Sequence, residues 1–261
     1  MIELKSIQLL FSEGTAAEKH VLKSLSVSIN EGDFVTVIGS NGAGKSSLLN
    51  TIAGEYTPQD GQILVDGLDV TDQITFQRSA LVARVFQDPL KGTCGDLTIA
   101  ENLALAQYRG KTRGLSPALK SKNRTEYREI LSQVGLGLET RLDTQMFLLS
   151  GGQRQAVSLL MACLSPLKIL LLDEHTSALD PKTAESIMVF TDKIIKEKGL
   201  TALMVTHSLH QALDFGNRTL MMHDGHVIMD IKNPERTKMT VNDLLKKFGK
   251  KLDSDELLIQ R

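Results

Sequence analysis

The run Gly39-Ser40-Asn41-Gly42-Ala43-Gly44-Lys45-Ser46 fits G-x-x-x-x-G-K-[ST] in full and directly follows the apolar stretch FVTVI. Each residue type in it has a task around a phosphorylated ligand. Glycines let backbone N–H groups turn inward onto phosphate oxygens. Lys45 brings a positive charge to the β- and γ-phosphates, and Ser46 offers a hydroxyl to Mg²⁺. Ser47 follows in the helix expected from Lys45, whose N-terminal dipole adds to the attraction for an anion. A glycine-rich turn with a chance lysine would give the same string, and the flanking strand and helix argue against it.

A second cluster lies in ILLLDEHTSALD (169–180). Its apolar run is a buried strand, so Asp173 emerges at a strand's C-terminal end, where α/β folds bind ligands. Asp173 is placed to hold Mg²⁺ through water, and Glu174 to polarise the water that attacks a γ-phosphate. Taken without the phosphate loop, a strand followed by an acidic helix cap would explain the pair equally well. Gln87, in VFQDP, also follows an apolar run. It ligates Mg²⁺, or orients the water, or merely begins a turn before Pro89. His207 ends the run LMVTHS, where an imidazole can bond the γ-phosphate. The rival histidine, His175, sits one residue past Glu174 in an expected turn and is assigned a structural role.

The third stretch is LSGGQ (149–153). Ser150-Gly151-Gly152-Gln153 is a capping box, with a helix expected through Ala156, Val157, Leu160 and Met161. Its glycines leave the first-turn N–H groups bare, and such an end binds anions. A second anion-binding helix end makes sense if two chains meet, each capping the other's nucleotide.

The elements that must position these groups can be read from periodicity. Strands are expected at 2–10, 21–29, 34–39, 62–67 and 81–86, with a helix over 45–53. From about 98 to 164 helical patterns dominate, as at 99–108 and 124–136, with a basic loop at 111–124. The β/α alternation then returns: a strand at 168–173, a helix at 183–199 and a strand at 201–207. A hairpin over 219–230 turns at Asp224-Gly225. The tail, 238–261, reads as a charged helix or frayed end. The pattern is an α/β core with an inserted α subdomain.

Bulk properties fit a globular protein, with 41% hydrophobic and 23% charged residues. Lys+Arg total 30 against 31 for Asp+Glu, so bulk charge gives no argument for a nucleic-acid partner. No apolar run approaches the roughly 20 residues of a membrane helix, and the N-terminus lacks the features of a signal peptide. The cysteines, Cys94 and Cys163, form no metal or disulfide pattern. A reduced, cytosolic protein is expected, with any membrane role exerted through a partner.

The loop at 39–46, Gln87, LSGGQ, the Asp173-Glu174 pair, SALD at 177–180 and His207, in that order, resemble the ATP-binding cassette (ABC) ATPases over nearly the whole chain. The resemblance implies a P-loop NTPase core with an antiparallel β subdomain and an inserted α-helical signature subdomain. The core would comprise 1–90 and 166–235, the helical subdomain about 91–165, and the C-terminal helix or tail 236–261. It implies a head-to-tail homodimer holding two MgATP between the phosphate loop of one chain and Ser150–Gln153 of the other, with Asp180 at the dimer contact. Phe11 matches the aromatic that stacks on adenine, a position usually Tyr. With no fused membrane helices, second cassette, long coiled coil or large regulatory domain recognisable, the expectation is a cassette at the inner face of the membrane that drives separate permease subunits. An importer with an extracytoplasmic substrate-binding protein is favoured. VFQDPLKGTCGDLTIAENLALA and LLDEHTSALDPKTA, with His where Pro is usual after the carboxylate pair, look like cassettes paired with binding proteins of the tryptophan/tyrosine type. An exporter, a lipoprotein- or peptide-release complex and a non-transport ATPase are the alternatives.

Overall fold

The computed structural model describes residues 1–14, 17–111, 119, 121–247 and 249. Most of the expected basic loop at 111–124, and most of the tail beyond 247, lie outside the described residues.

In chain order the strands and helices begin with β1 (Ile2–Phe11), β2 (Lys19–Ile29), β3 (Phe34–Gly39), α1 (Lys45–Ala53), β4 (Asp60–Val65) and β5 (Leu68–Asp69). Then come α2 (Thr75–Arg78), β6 (Val82–Val85), α3 (Ile99–Gln107), α4 (Ser121–Ser132) and α5 (Gly151–Cys163). The last are β7 (Ile169–Asp173), α6 (Pro181–Lys198), β8 (Ala202–Val205), α7 (Leu209–Asp214), β9 (Arg218–His223) and β10 (His226–Lys232). Residues 241–247 are also helical. The expected elements are present, with ends shifted by up to four residues. The chain forms two compact units, one of residues 1–48, 57–71 and 203–261, the other of 49–56 and 72–202.

The first unit carries an antiparallel sheet, β2-β1-β4-β5, and the strands β10-β9-β3-β8 of a second sheet. In β1 the buried positions are Ile2 and Leu4, then Ile7 and Leu9, so the parity changes midway. The register with β2 slips between Leu4 and Ile7, and Ser6 has a positive φ of 49°. This bulge keeps both halves of the apolar set on the core face. Val35, Val37 and Ile38 of β3 are buried, as expected of a parallel strand covered on both sides. β9 and β10 turn through Asp224 (φ 42°) and Gly225 (φ 79°), a two-residue loop with both central residues left-handed. Ile38, Ala212, Met221, Ile231 and Leu244 form one core cluster beside β3.

The second unit pairs β6 with β7 in parallel, Val82 opposite Ile169 through Val85 opposite Leu172. Helices α3, α4, α5 and α6 belong to it. Thr98 caps α3 reciprocally with Glu101, whose carboxylate accepts from Thr98 N at 2.8 Å. Tyr127 of α4 is buried, and its hydroxyl donates to Gln107 Oε1 of α3 at 2.6 Å. Burying the phenol with its one donor satisfied ties the two helices together.

Candidate functional site

In the first unit, β3 ends at Gly39 and α1 begins at Lys45, so residues 40–44 form the turn between strand and helix. Gly44 has φ +96°, and a Cβ there would lie 2.9 Å from Val21 O. Both the dihedral and the close approach of β2 therefore require glycine. Ser40, Asn41, Gly42 and Ser46 are exposed, whereas Ala43 and Lys45 are buried. Lys45 Nζ donates to Gly39 O and Ser40 O, each at 2.9 Å. The ammonium is thus tethered across its own loop. A cradle of backbone N–H groups at a helix start, with a fixed cation, suits a polyphosphate.

His207 follows β8 and is exposed. It lines a cavity of about 220 Å³ together with Gly39, Ser40, Thr206, Met221 and Leu244. The structure therefore brings His207 to the first residues of the phosphate loop. Phe11 ends β1 opposite Lys19 and is 37% exposed. A core aromatic would be enclosed, and this residue is not.

In the second unit, Asp173 is the last residue of β7, after the fully buried Ile169–Leu172. Arg84 of β6 donates through Nη2 to Asp173 Oδ2 at 2.5 Å. No described contact engages Oδ1. Glu174 adopts φ 46°, in the left-handed region that side chains avoid, and its carbonyl accepts from Ser177 N at 2.9 Å. Gln87 is exposed in the bend after β6, and Asp88 caps the 3₁₀ turn Pro89–Gly92. Among the described residues no cluster of His, Cys, Asp and Glu could hold a metal ion unaided. Asp173 offers a carboxylate in the second unit and Ser46 a hydroxyl in the first. Each is an oxygen donor of the kind taken by Mg²⁺, which keeps several waters and takes phosphate oxygens as ligands.

Ser150 caps α5 as the sequence pattern requires: Ser150 Oγ accepts from Gln153 N, and Gln153 Oε1 from Ser150 N, both at 3.3 Å. A Cβ on Gly152 would lie 2.2 Å from Thr183 Cγ2, so this glycine is also a packing requirement. Asp180 is exposed and caps α6, its carboxylate accepting from Thr183 N at 3.1 Å. Hydrogen bonds from the Thr183 side chain and backbone hold the Asp180 pKa below the usual carboxylate range. Thr183 thus links the LSGGQ helix start to the Asp180 cap. His175 is 2% exposed, and its Nε2 lies 3.1 Å from Thr191 Oγ1. Burial lowers its pKa to about 4.

Two functional candidates escaped sequence reasoning. Arg84 is one, although a charged residue inside the apolar run LVARVF is itself a sign of a buried partner. Arg78 is the other. It is fully buried, and Nη1 donates to Thr51 O at 2.6 Å and Ile52 O at 2.9 Å. It places a cation on the carbonyls that end α1, complementing the helix dipole.

Residues 22–177 match a family model described as ABC transporter. Over 249 residues the chain is 44% identical to a tyrosine transport ATP-binding protein of Clostridioides difficile (strain R20291), covering 95% of this chain and 98% of that protein. It is 31% identical over 271 residues to a methionine import ATP-binding protein of Enterococcus faecalis (strain ATCC 700802 / V583), covering 100% of this chain and 74% of that protein. Among solved structures, a dimeric ATP-binding cassette in a post-hydrolysis state bound to ADP and Pi matches with a TM-score of 0.76 and 32% identity, over 89% of this chain and 98% of that chain.

Proposed function

Because the chain belongs to the ABC transporter family, as an ATP-binding and ATP-hydrolysing subunit, we propose that it powers a separate permease that imports an amino acid or similar small solute. The observation that carries this reading is the near full-length likeness, in both directions, to the tyrosine transport ATP-binding protein. The other relatives include ATP-binding proteins of thiamine, phosphonate and methionine import. Among the described residues no helix is long and apolar enough to cross a membrane, so the permease is a different chain or segment.

The mechanism assigns each part a task. Phe11 stacks on adenine. The backbone of residues 39–44, Ser47 and the Lys45 ammonium hold the phosphates. Ser46 and Asp173 would hold Mg²⁺, and Gln87 would serve as a further ligand or as a water-orienting amide. When bound, Mg²⁺ neutralises developing charge on the phosphate oxygens. Glu174 takes a proton from the attacking water, and His207 bonds the γ-phosphate. Ser150–Gln153 of a second copy close the nucleotide, and Asp180 lies at that dimer contact. ATP moves this system only if it binds the closed dimer better than the open one. The core at 1–90 and 166–235 and the helical subdomain at about 91–165 are the bodies proposed to move, with 236–261 as the C-terminal extension. A groove of about 1110 Å³ within the second unit, lined by Phe76, Arg84, Phe86, Lys91 and Tyr108 among others, receives the permease. An extracytoplasmic binding protein supplies the solute, and the chain works on the cytoplasmic face of the membrane.

The test is a mild-detergent pull-down of the tagged chain from its native membranes, with partners identified by mass spectrometry. A multi-span permease accompanied by a binding protein supports import. A permease or release complex without one points to export or extraction, and cytosolic proteins alone overturn the transport reading.

A further inference from the structure

Arg84 stands within a strand whose other residues are apolar, and its side chain is 10% exposed. Three acceptors and a ring surround it. Nη2 donates to Asp173 Oδ2 at 2.5 Å. Nη1 donates to Asn50 Oδ1 at 2.5 Å and to Glu55 Oε1 at 2.8 Å. The guanidinium carbon lies 4.6 Å from the centre of the Phe86 ring. Asp173 is itself only 14% exposed, so the pair is largely removed from water.

A guanidinium is planar, and its donors point in fixed directions. Clamped by Asn50 and Glu55 on one nitrogen and laid against Phe86, it has one pose. The carboxylate that accepts from its other nitrogen therefore has one orientation too. The fork occupies Oδ2 and leaves Oδ1, the opposite oxygen of the same carboxylate. Groups that hydrogen-bond a ligating carboxylate fix its plane and raise its affinity for the cation.

We propose that Arg84 is a positioning residue for Asp173: it fixes the carboxylate so that Oδ1 is presented to a divalent cation. This rests on the reading of Asp173 as a cation-holding residue. Arg84 touches neither cation nor nucleotide and acts through Asp173 alone. Glu55, which is 36% exposed and lines the same groove as Arg84, acts one step further back by setting the guanidinium pose.

The test uses Mn²⁺ as the probe, followed by the loss of its free EPR signal on titration into the full chain with a non-hydrolysable ATP analogue. Affinity for the analogue is measured separately in EDTA. Arg84→Gln is expected to weaken Mn²⁺ binding about tenfold or more while changing metal-free nucleotide affinity less than about twofold. Arg84→Lys, which keeps the charge and loses the fork, should fall between the two. Equal or tighter Mn²⁺ binding in Arg84→Gln overturns the inference, as does a parallel loss of metal-free nucleotide binding. Should Arg84→Gln fail to fold, Glu55→Ala takes its place: it keeps the cation and loosens its pose. An approximately threefold weakening of Mn²⁺ binding in Glu55→Ala is then expected, and no change overturns the inference. Asp173→Asn separates the two readings. Wild-type Mn²⁺ affinity in that variant removes Asp173 from the cation site altogether, whereas loss there with none in Arg84→Gln overturns only the role of Arg84.

Discussion

Gly152 and Thr183 meet so closely that a Cβ on the glycine would lie 2.2 Å from Thr183 Cγ2. The second glycine of LSGGQ is therefore required by its packing against α6. Gly152→Ala should destabilise the chain by about 1–3 kcal/mol through overpacking, although alanine is the better helix former. Thr183→Ser removes the clashing methyl and keeps the backbone N–H that Asp180 accepts. The double variant should recover most of the loss, read as a melting temperature near wild type. If Gly152→Ala alone melts as wild type does, the contact carries no weight.

Elements and loops were legible in the sequence because each is written locally. FVTVIG followed by a glycine-rich loop states strand, turn and helix within a few residues, and Ser150 with Gln153 states its own cap. What was hidden joins residues distant in the chain. His175 meets Thr191 because α6 returns beside the turn after β7. Arg84 meets Asp173 because β6 and β7 pair in one particular register, Arg84 opposite Leu171. Periodicity gives the face of a strand and not the neighbour it will find. Asp180 shows the limit from the other side: its place as cap of α6 was stated by the following Pro181, a common first helical residue, yet the resemblance drew the reading toward the dimer contact alone.

Lys45 is anchored by the carbonyls of Gly39 and Ser40. Lys45→Ala removes a cation whose acceptors remain in an exposed loop able to bond water, so the fold should survive with near-wild-type circular dichroism. ATP affinity or turnover should fall at least about tenfold, since a charge-assisted contact to phosphate is lost. Normal hydrolysis in this variant would remove the loop from the nucleotide site.

Glu174 sits at φ 46°, one residue past the end of β7. Strained backbone of this kind is held where a side chain must be aimed, and costs about 1–3 kcal/mol. Glu174→Gln keeps the shape and loses the base. Turnover should fall about 100-fold or more with nucleotide affinity changed less than about twofold, and ATP should trap a dimer on gel filtration. Unchanged turnover would take Glu174 out of the base role.

His175 links the same turn to acid stability. Thr191 Oγ1 donates its hydrogen to Ile187 O at 2.7 Å, so the hydrogen between the hydroxyl and His175 comes from the imidazole Nε2. Burial lowers the folded pKa from 6.5 to about 4. The unfolded chain therefore takes up a proton as pH falls through about 6.5, while the folded chain stays neutral until about 4. Stability is unaffected above that window, falls as pH drops through it, and levels off below, where both states carry the proton. At pH 5 the loss from this one group amounts to about 2 kcal/mol. For a chain of this size that is roughly 4–8 °C in melting temperature relative to pH 8. His175→Gln cannot titrate and can still donate to Thr191, so its melting temperature should fall less between pH 8 and pH 5. Equal slopes for the two proteins would show that His175 is protonated in the fold or that its burial is not maintained in solution.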